Sequence, residues 1–244
     1  MPIQGLYKIF DKWHENGAVW IISDTHFGDE ELRKGFPNRP TDDELVKLIN
    51  SKCGRKDTLI HLGDVGDLSY VKKLRAGKKI LICGNHDIGH TNYLKDVAKE
   101  WFSQSEYSKS EALEEMKILH PDCRYSVSEE YRFHSPFVSW VIYAYNDLFD
   151  EVYTGPLMIS EKLILSHEPI AVPWAYNIHG HSHTGPKTGN GTLNVCADVI
   201  GYTPLNFNQL MKSGLCSKVE TLHRTTIDEA TVKNRKRGGK LKWK

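Results

Sequence analysis

The sequence predicts an α/β fold, and three observations carry that prediction. Over the first ninety or so residues, short apolar runs alternate with helix-like stretches, the rhythm of βαβ units around a buried sheet. Each apolar run ends on, or is followed by, a short motif rich in Asp, Asn or His, and α/β proteins place ligands at the carboxyl ends of their strands. At 244 residues with 39% hydrophobic content, the chain is long and apolar enough for one large domain with a sizeable core.

The elements follow in order. In residues 1–16, Leu6, Ile9, Phe10 and Trp13 recur at i, i+3, i+4 and i+7, which predicts a short amphipathic helix docked on the body. Residues 18–22 form an apolar strand leading into Ser23 and Asp24. Thr41 and Glu44 make a capping box for a helix with Leu45, Leu48 and Ile49 on one face, which Gly54 can end. Residues 58–62 are the next strand, 68–76 a helix stopped by Gly77, and 79–83 a third strand. The stretch 91–119 is expected to be helical in pieces, with 110–116 the clearest. Residues 120–150 are aromatic-rich without a clean period. Their Tyr125, Tyr131, Phe133, Phe137, Trp140, Tyr143 and Tyr145 are read as core, with stacking on a base as the alternative. Further strands are expected near 158–159, 163–165, 176–178 and 192–195. No internal repeat is evident.

The net charge of +1 hides an asymmetry: residues 233–244 hold seven Lys or Arg and no acid, leaving −6 on the rest. That basic run, interrupted by Gly238 and Gly239, predicts a disordered tail over 228–244. No run of eighteen apolar residues exists, so no membrane span is expected. The first sixteen residues carry Asp11 and Glu15 and no apolar stretch of a secretory signal. The five cysteines are scattered without C-x-x-C pairs, which favours a reduced, cytoplasmic setting over a disulfide framework.

Five motifs carry the chemistry: Asp24 with His26, Gly63 with Asp64, the run Gly84, Asn85, His86, Asp87, then Ser166 with His167, and Gly180 followed by His181 and His183. Asp, Asn and His hold divalent cations through oxygen and imidazole nitrogen. The set and its order resemble the calcineurin-like metallophosphoesterase superfamily, whose pattern is D-x-H, G-D, G-N-H-D/E, H, G-H-x-H. The run from Ser23 to Gly28 is similar to the small bacterial or phage-type branch. The resemblance covers about 17–205 and implies a four-layer α/β/β/α sandwich of two mixed sheets flanked by helices.

It also implies a two-metal site. Asp64 matches the carboxylate bridging both cations. Asp24, His26 and His183 match the ligands of one, and Asn85, His167 and His181 those of the other. Asp24 and His26, two apart, would share a face if the chain there is extended. Manganese is the expected cation, with iron, zinc, nickel or magnesium as alternatives. His86 matches a residue that contacts the substrate phosphate and acts as general acid, with Asp87 accepting its other N–H, and the nucleophile implied is a metal-bridging hydroxide. Arg39 lies on a loop where it could fork onto a phosphate, or be merely solvated. Phe27 and Gly28 are expected to shape the pocket floor, Asp67 to be structural or to support a ligand, and His61 and His179, close to the motifs, to be ordinary core or surface residues, with support of the ligands as the alternative. Asp198 has no firm role.

The resulting expectation is a phosphoesterase, with phosphodiesters favoured over monoesters, acting on a small phosphoester or nucleotide. Alternatives are a nuclease aided by the basic tail, which would bind nucleic acid, or a non-catalytic scaffold on the same fold; retention of every ligand speaks against the scaffold. The chain divides into an extension (1–16), a phosphoesterase domain (17–227, with 90–161 a candidate cap or specificity insert) and the tail (228–244).

Overall fold

The computed structural model describes residues 5–87, 96–121, 123–131, 138–146 and 148–236. After a 3₁₀ helix at Lys8–His14, the elements in chain order are β1 (Val19–Ile22), α1 (Glu30–Gly35), α2 (Asp42–Lys52), β2 (Thr58–His61), α3 (Leu68–Val71), β3 (Lys78–Ile82) and β4 (Asp96–Ser103). They continue with α4 (Lys109–Leu119), β5 (Cys123–Tyr131), β6 (Val138–Asn146), β7 (Glu151–Tyr153), β8 (Leu157–Ser160), β9 (Leu163–Leu165) and β10 (Tyr176–His179). The last are β11 (Thr188–Gly189), β12 (Thr192–Asn194), α5 (Ala197–Ile200), β13 (Leu205–Asn206), α6 (Phe207–Lys212) and α7 (Leu222–Lys236).

The α/β class is the one expected. A first mixed sheet has the order β13-β1-β2-β3-β7, and a second has β11-β12-β10-β9-β8. In the first sheet β1, β2, β3 and β7 run parallel and β13 antiparallel. Alternation along its strands sorts two cores. Val19, Ile21, Ile60, Ile80 and Ile82 share one core with Leu163, Leu165, Ile178 and Leu193 of the second sheet. Ile22, Leu59 and Leu81 pack with Leu45, Val46 and Ile49 of α2 in the other. The capping box of α2 forms as expected: Thr41 accepts from the Glu44 N–H, and Glu44 reaches back to the Thr41 N–H. On the outer face of the second sheet, Asn177 pins the loop after β9 by accepting the Ile170 N–H at 2.8 Å.

Several boundaries differ from the expectation. The N-terminal segment is a 3₁₀ helix, not an α-helix. A three-residue repeat buries Phe10 and Trp13 and leaves Ile9 77% exposed. Both buried rings belong to the core between the sheets, and Trp13 Nε1 donates to Glu151 Oε2 at 2.8 Å, so this segment is integral to the body. The helix expected over 68–76 stops at Val71, capped at its start by Asp67, which accepts the Ser69 N–H. Residues 96–103, expected to be helical, form β4. Its partner is β6, which also pairs with β5, in a three-stranded antiparallel sheet. Phe102, Ile142 and Ala144 pack there on Ala112 and Met116 of α4, with Tyr125 and Trp140 partly buried against them. Tyr131 is instead 77% exposed, and Phe133 and Phe137 lie outside the described residues, as does the side chain of Tyr145. The 90–161 segment is not wholly an insert, because β7 and β8 join the two large sheets. The tail expected to be disordered from residue 228 is helical as far as Lys236, in α7. Residues 237–244 lie outside the described residues.

Cys53, Cys83, Cys196 and Cys216 are free thiols. Among the described residues, no helix is long and apolar enough to cross a membrane.

Candidate metal centre

The motifs meet where the carboxyl ends of parallel strands from both sheets converge. Asp24 and His26 follow β1, Asp64 follows β2, and Asn85 and His86 follow β3. His167 follows β9, and His181 and His183 follow β10. The two sheets are tied together at this end. Ser23, just past β1, pairs with Cys196, just past β12: the Ser23 N–H donates to Val195 O at 3.0 Å and the Ala197 N–H to Ser23 O at 2.9 Å.

Asp24 and His26 do not sit on an extended strand, as their spacing suggested. Both adopt left-handed backbone, at φ 59° and 41°, and so do Asp64 at 56° and His181 at 66°. Such conformations cost non-glycine residues about 1–3 kcal/mol each and persist where surrounding structure imposes them. Here the Asp24 and His26 N–H groups donate to Gly63 O and Asp64 O, lacing the first two motif loops together. Two motif glycines are required by close approach. A Cβ at Gly84 would fall 2.2 Å from Asp64 Oδ1, and one at Gly180 would fall 2.3 Å from Asp24 Oδ2.

The side chains form two groups joined by one carboxylate. Asp24, His26 and His183 offer ligand atoms within 4.8 Å of one another, and so do Asp64, His167 and His181. Asp64 Oδ2 lies 3.4 Å from His26 Nε2 and 3.3 Å from His167 Nε2. Asn85 Oδ1 lies 3.0 Å from His167 Nε2 and 3.2 Å from His181 Nδ1. All seven residues that the sequence nominated as ligands are therefore gathered here.

The polar accounting shows that these residues fit a cation. Asp24 Oδ1 and His26 Nε2 are buried and make no hydrogen bond. His167 Nδ1 faces Leu62 O at 2.8 Å, an atom that only accepts, so Nδ1 carries the hydrogen. On the neutral ring Nε2 is then a lone pair aimed at two more acceptors, Asp64 Oδ2 and Asn85 Oδ1. A cation at this point would satisfy these acceptors together. The titration tendencies express the same field. Burial disfavours the His167 imidazolium, but the Asp64 and Asp24 carboxylates outweigh it and raise the pKa. Burial would likewise raise the Asp64 carboxyl, yet His167 and His26 hold it far below the usual range.

His86 lines an open cavity of about 340 Å³ beside these groups, together with Asp29, Glu31 and Leu32. Its ring lies edge-on to His26, with centroids 5.4 Å apart, and its backbone N–H donates to Asp64 Oδ1 at 3.0 Å. Asp87 does not orient it. That carboxylate is fully buried and accepts the backbone N–H groups of Asp64, Val65 and Gly84 at 2.8, 3.1 and 2.8 Å. By accepting these amides it shapes the loop carrying Asp64.

Arg39 is the second correction. Its side chain is 3% exposed, facing inward. Nη1 donates to Asp198 Oδ2 at 2.5 Å, and Nη2 to Asp24 O and Thr25 O at 3.0 and 2.5 Å. It cannot reach a substrate phosphate from there. Asp198, to which the sequence assigns no role, also accepts from His183 Nδ1 at 2.7 Å and from the Tyr202 hydroxyl at 3.0 Å. Burial alone would raise its carboxyl, but His183, Arg39 and Tyr202 hold it at about 2. No spacing signal marks Asp198, which lies fifteen residues beyond the ligand that it touches. His61 and His179 support the motif loops. The Gly63 N–H donates to His61 Nδ1, whose ring burial pushes down to about 3, and His179 Nδ1 donates to Gly180 O. Phe27 is buried and stacks on Tyr70 with ring centroids 5.3 Å apart.

Carboxylate, amide and imidazole side chains gathered at strand ends of an α/β scaffold make a candidate metal centre. The calcineurin-like phosphoesterase family profile matches residues 17–191, and the chain belongs to that family. The chain aligns with the crystal structure of the protein of unknown function AQ665 from Aquifex aeolicus. The two share 19% identity over 80% of this chain and 98% of that one, at a TM-score of 0.47. No curated protein matches the chain.

Proposed function

We propose that this metal-dependent phosphoesterase holds two divalent cations and favours phosphodiesters. The observation that supports two cations is Asp64, whose single Oδ2 faces His26 of one ligand group and His167 of the other. Asp24, His26 and His183 would hold one cation, Asn85, His167 and His181 the other, and Asp64 both. Cations in this place supply charge neutralisation for phosphate and acidify water. Manganese suits a mixed oxygen and imidazole set.

The preference for diesters rests on the charge of the cavity wall. Among the described residues that line it are Asp29 and Glu31, but no Lys or Arg. Arg39, the one basic candidate from the sequence, is turned inward. A monoester dianion gains little from such a wall, whereas a diester brings a single negative charge. As water adds to phosphorus and the ester P–O bond breaks, His86 gives a proton to the leaving oxygen from its place on the open side of the centre.

A second reading, nucleic-acid cleavage, draws on the seven positive charges of residues 233–244.

The test is metal-free protein reloaded with manganese, magnesium, zinc, nickel or iron and offered a substrate panel. The panel holds bis-p-nitrophenyl phosphate, p-nitrophenyl phosphate, cyclic nucleotides, dinucleotide polyphosphates and single-stranded DNA. Two manganese ions per chain and faster diester turnover are expected, with Asp64→Ala losing most of both cations. A single ion per chain, or faster monoester turnover, would contradict the corresponding half of the proposal.

A further inference from the structure

We propose that Arg39 and Asp198 form a positioning pair that builds the Asp24–His26–His183 half of the metal centre. This rests on the two-cation reading above. The pair is buried on both sides, with side-chain exposures of 3% and 2%. A buried ion pair is a weak source of stability, since apolar residues of like volume often serve as well. What it can supply is geometry, and its partners are site atoms.

Asp198 Oδ2 accepts from His183 Nδ1. An ionised carboxylate only accepts, so it fixes the hydrogen on Nδ1 and leaves the Nε2 lone pair free. That Nε2 lies 3.7 Å from Asp24 Oδ1, itself buried without a hydrogen bond. Arg39 acts at the other end. Its Nη2 holds the carbonyl oxygens of both Asp24 and Thr25, the stretch where Asp24 takes its left-handed backbone. Its Nη1 holds the same Asp198 oxygen that orients His183. One guanidinium thus sets the spacing between two ligands that come from different sheets. A lysine ammonium lacks the planar fork that spans two carbonyls and a carboxylate.

The geometry also disposes of a competing possibility. His183, Cys196 and Asp198 lie close enough to hold a cation of their own. The Asp198 oxygen that faces His183 and Cys196 already accepts from the Arg39 guanidinium, whose positive charge opposes a cation beside it.

The test measures manganese bound per chain at graded free manganese, with electron paramagnetic resonance separating paired from isolated ions. The proteins are wild type, Asp198→Ala, Asp198→Asn, Arg39→Met, Arg39→Lys and His183→Ala, alone and combined with Asp198→Ala. For Asp198→Ala and Arg39→Met, one ion should bind as in wild type. The other should weaken about 10–100-fold, the usual effect of losing a group that orients a ligand. An isolated-ion signal should then appear at intermediate manganese. Asp198→Asn keeps an acceptor for His183 and should fall between wild type and alanine, whereas Arg39→Lys should not rescue. In the His183→Ala background, Asp198→Ala should add no further loss. Two tightly bound ions in the Asp198 and Arg39 variants, equal weakening of both ions, or an undiminished Asp198 effect without His183 would each overturn the proposal. If Asp198→Ala does not fold, Asp198→Asn, which keeps the volume, decides by the same criteria. Fewer than two ions in wild type would instead sink the two-cation reading, and this proposal with it.

Discussion

His86 and Asp87 are neighbours in one motif, yet the structure separates their tasks. Asp87 is buried and satisfies three backbone amides around Asp64. Leaving buried donors unpaired costs about 1–3 kcal/mol each, so Asp87→Ala should destabilise the protein by about 3 kcal/mol or more and reduce bound metal. Chemical denaturation with elemental analysis checks both effects. His86 is exposed and receives no support from Asp87. His86→Ala should keep the melting temperature and both cations but lose about 10²–10⁴-fold in turnover of substrates with poor leaving groups. The loss should be smaller for p-nitrophenolate, which departs without needing a proton. Equal losses for both leaving groups would rule out the acid role and leave phosphate binding as the alternative. Arg39 shows the limit of a residue-scale reading. A loop arginine before a proline looks available to a phosphate, and only its partners reveal that it points into the protein.

At the scale of elements, the strands that deliver motifs are legible because their apolar runs are short, bounded and followed by glycine or acid. The capping box of α2 is legible for the same local reason: two side chains three apart satisfy each other's backbone. The N-terminal segment departs from its apparent period. Leu6, Ile9, Phe10 and Trp13 fit a 3.6-residue repeat, but a 3₁₀ turn selects only part of that set. Trp13→Ala should cost about 3–5 kcal/mol, as for a large ring removed from a packed core. Ile9→Ser should change stability by less than about 0.5 kcal/mol. Urea denaturation of the two variants distinguishes the 3₁₀ docking from an α-helical one, in which Ile9 would face the core. The β4–β6–β5 sheet is not legible in the sequence. Its strands keep no regular alternation: β6 holds no charged residue, and β4 and β5 mix aromatic, charged and small side chains without a period, so no local signal marks them.

The whole molecule is an acidic body with a basic end. α7 carries that end as far as Lys236, with Lys233 and Arg235 before it. If this end serves nucleic acid, removing residues 237–244 deletes Arg237, Lys240, Lys242 and Lys244 and leaves α7 whole. Binding to single-stranded DNA at low salt should then weaken. The slope of log affinity against log salt should shrink by about 0.7 for each phosphate no longer neutralised, or about 3 for four. Small-diester hydrolysis should stay unchanged, since none of the candidate ligands lies there. Fluorescence-anisotropy titrations of both forms at several salt concentrations make the measurement; coincident curves would end the nucleic-acid reading.

The sequence by itself determined the α/β class, the first three strands, α2 and the complete set of ligand-type residues. These depend on short-range patterns: apolar runs, caps, and Asp, Asn or His placed at strand ends. Tertiary structure alone decided how those residues work. It set Asp24, His26, Asp64 and His181 in left-handed backbone, because loops from neighbouring strands hold them there. It turned Arg39 inward, where Asp198 and the carbonyls of Asp24 and Thr25 offer its planar fork three buried acceptors. It gave Asp87 to the amides of another loop rather than to the adjacent His86. The reason is common to all three: a polar group in a packed interior goes to the unsatisfied partner nearest in space, and distance along the chain does not record which one that is.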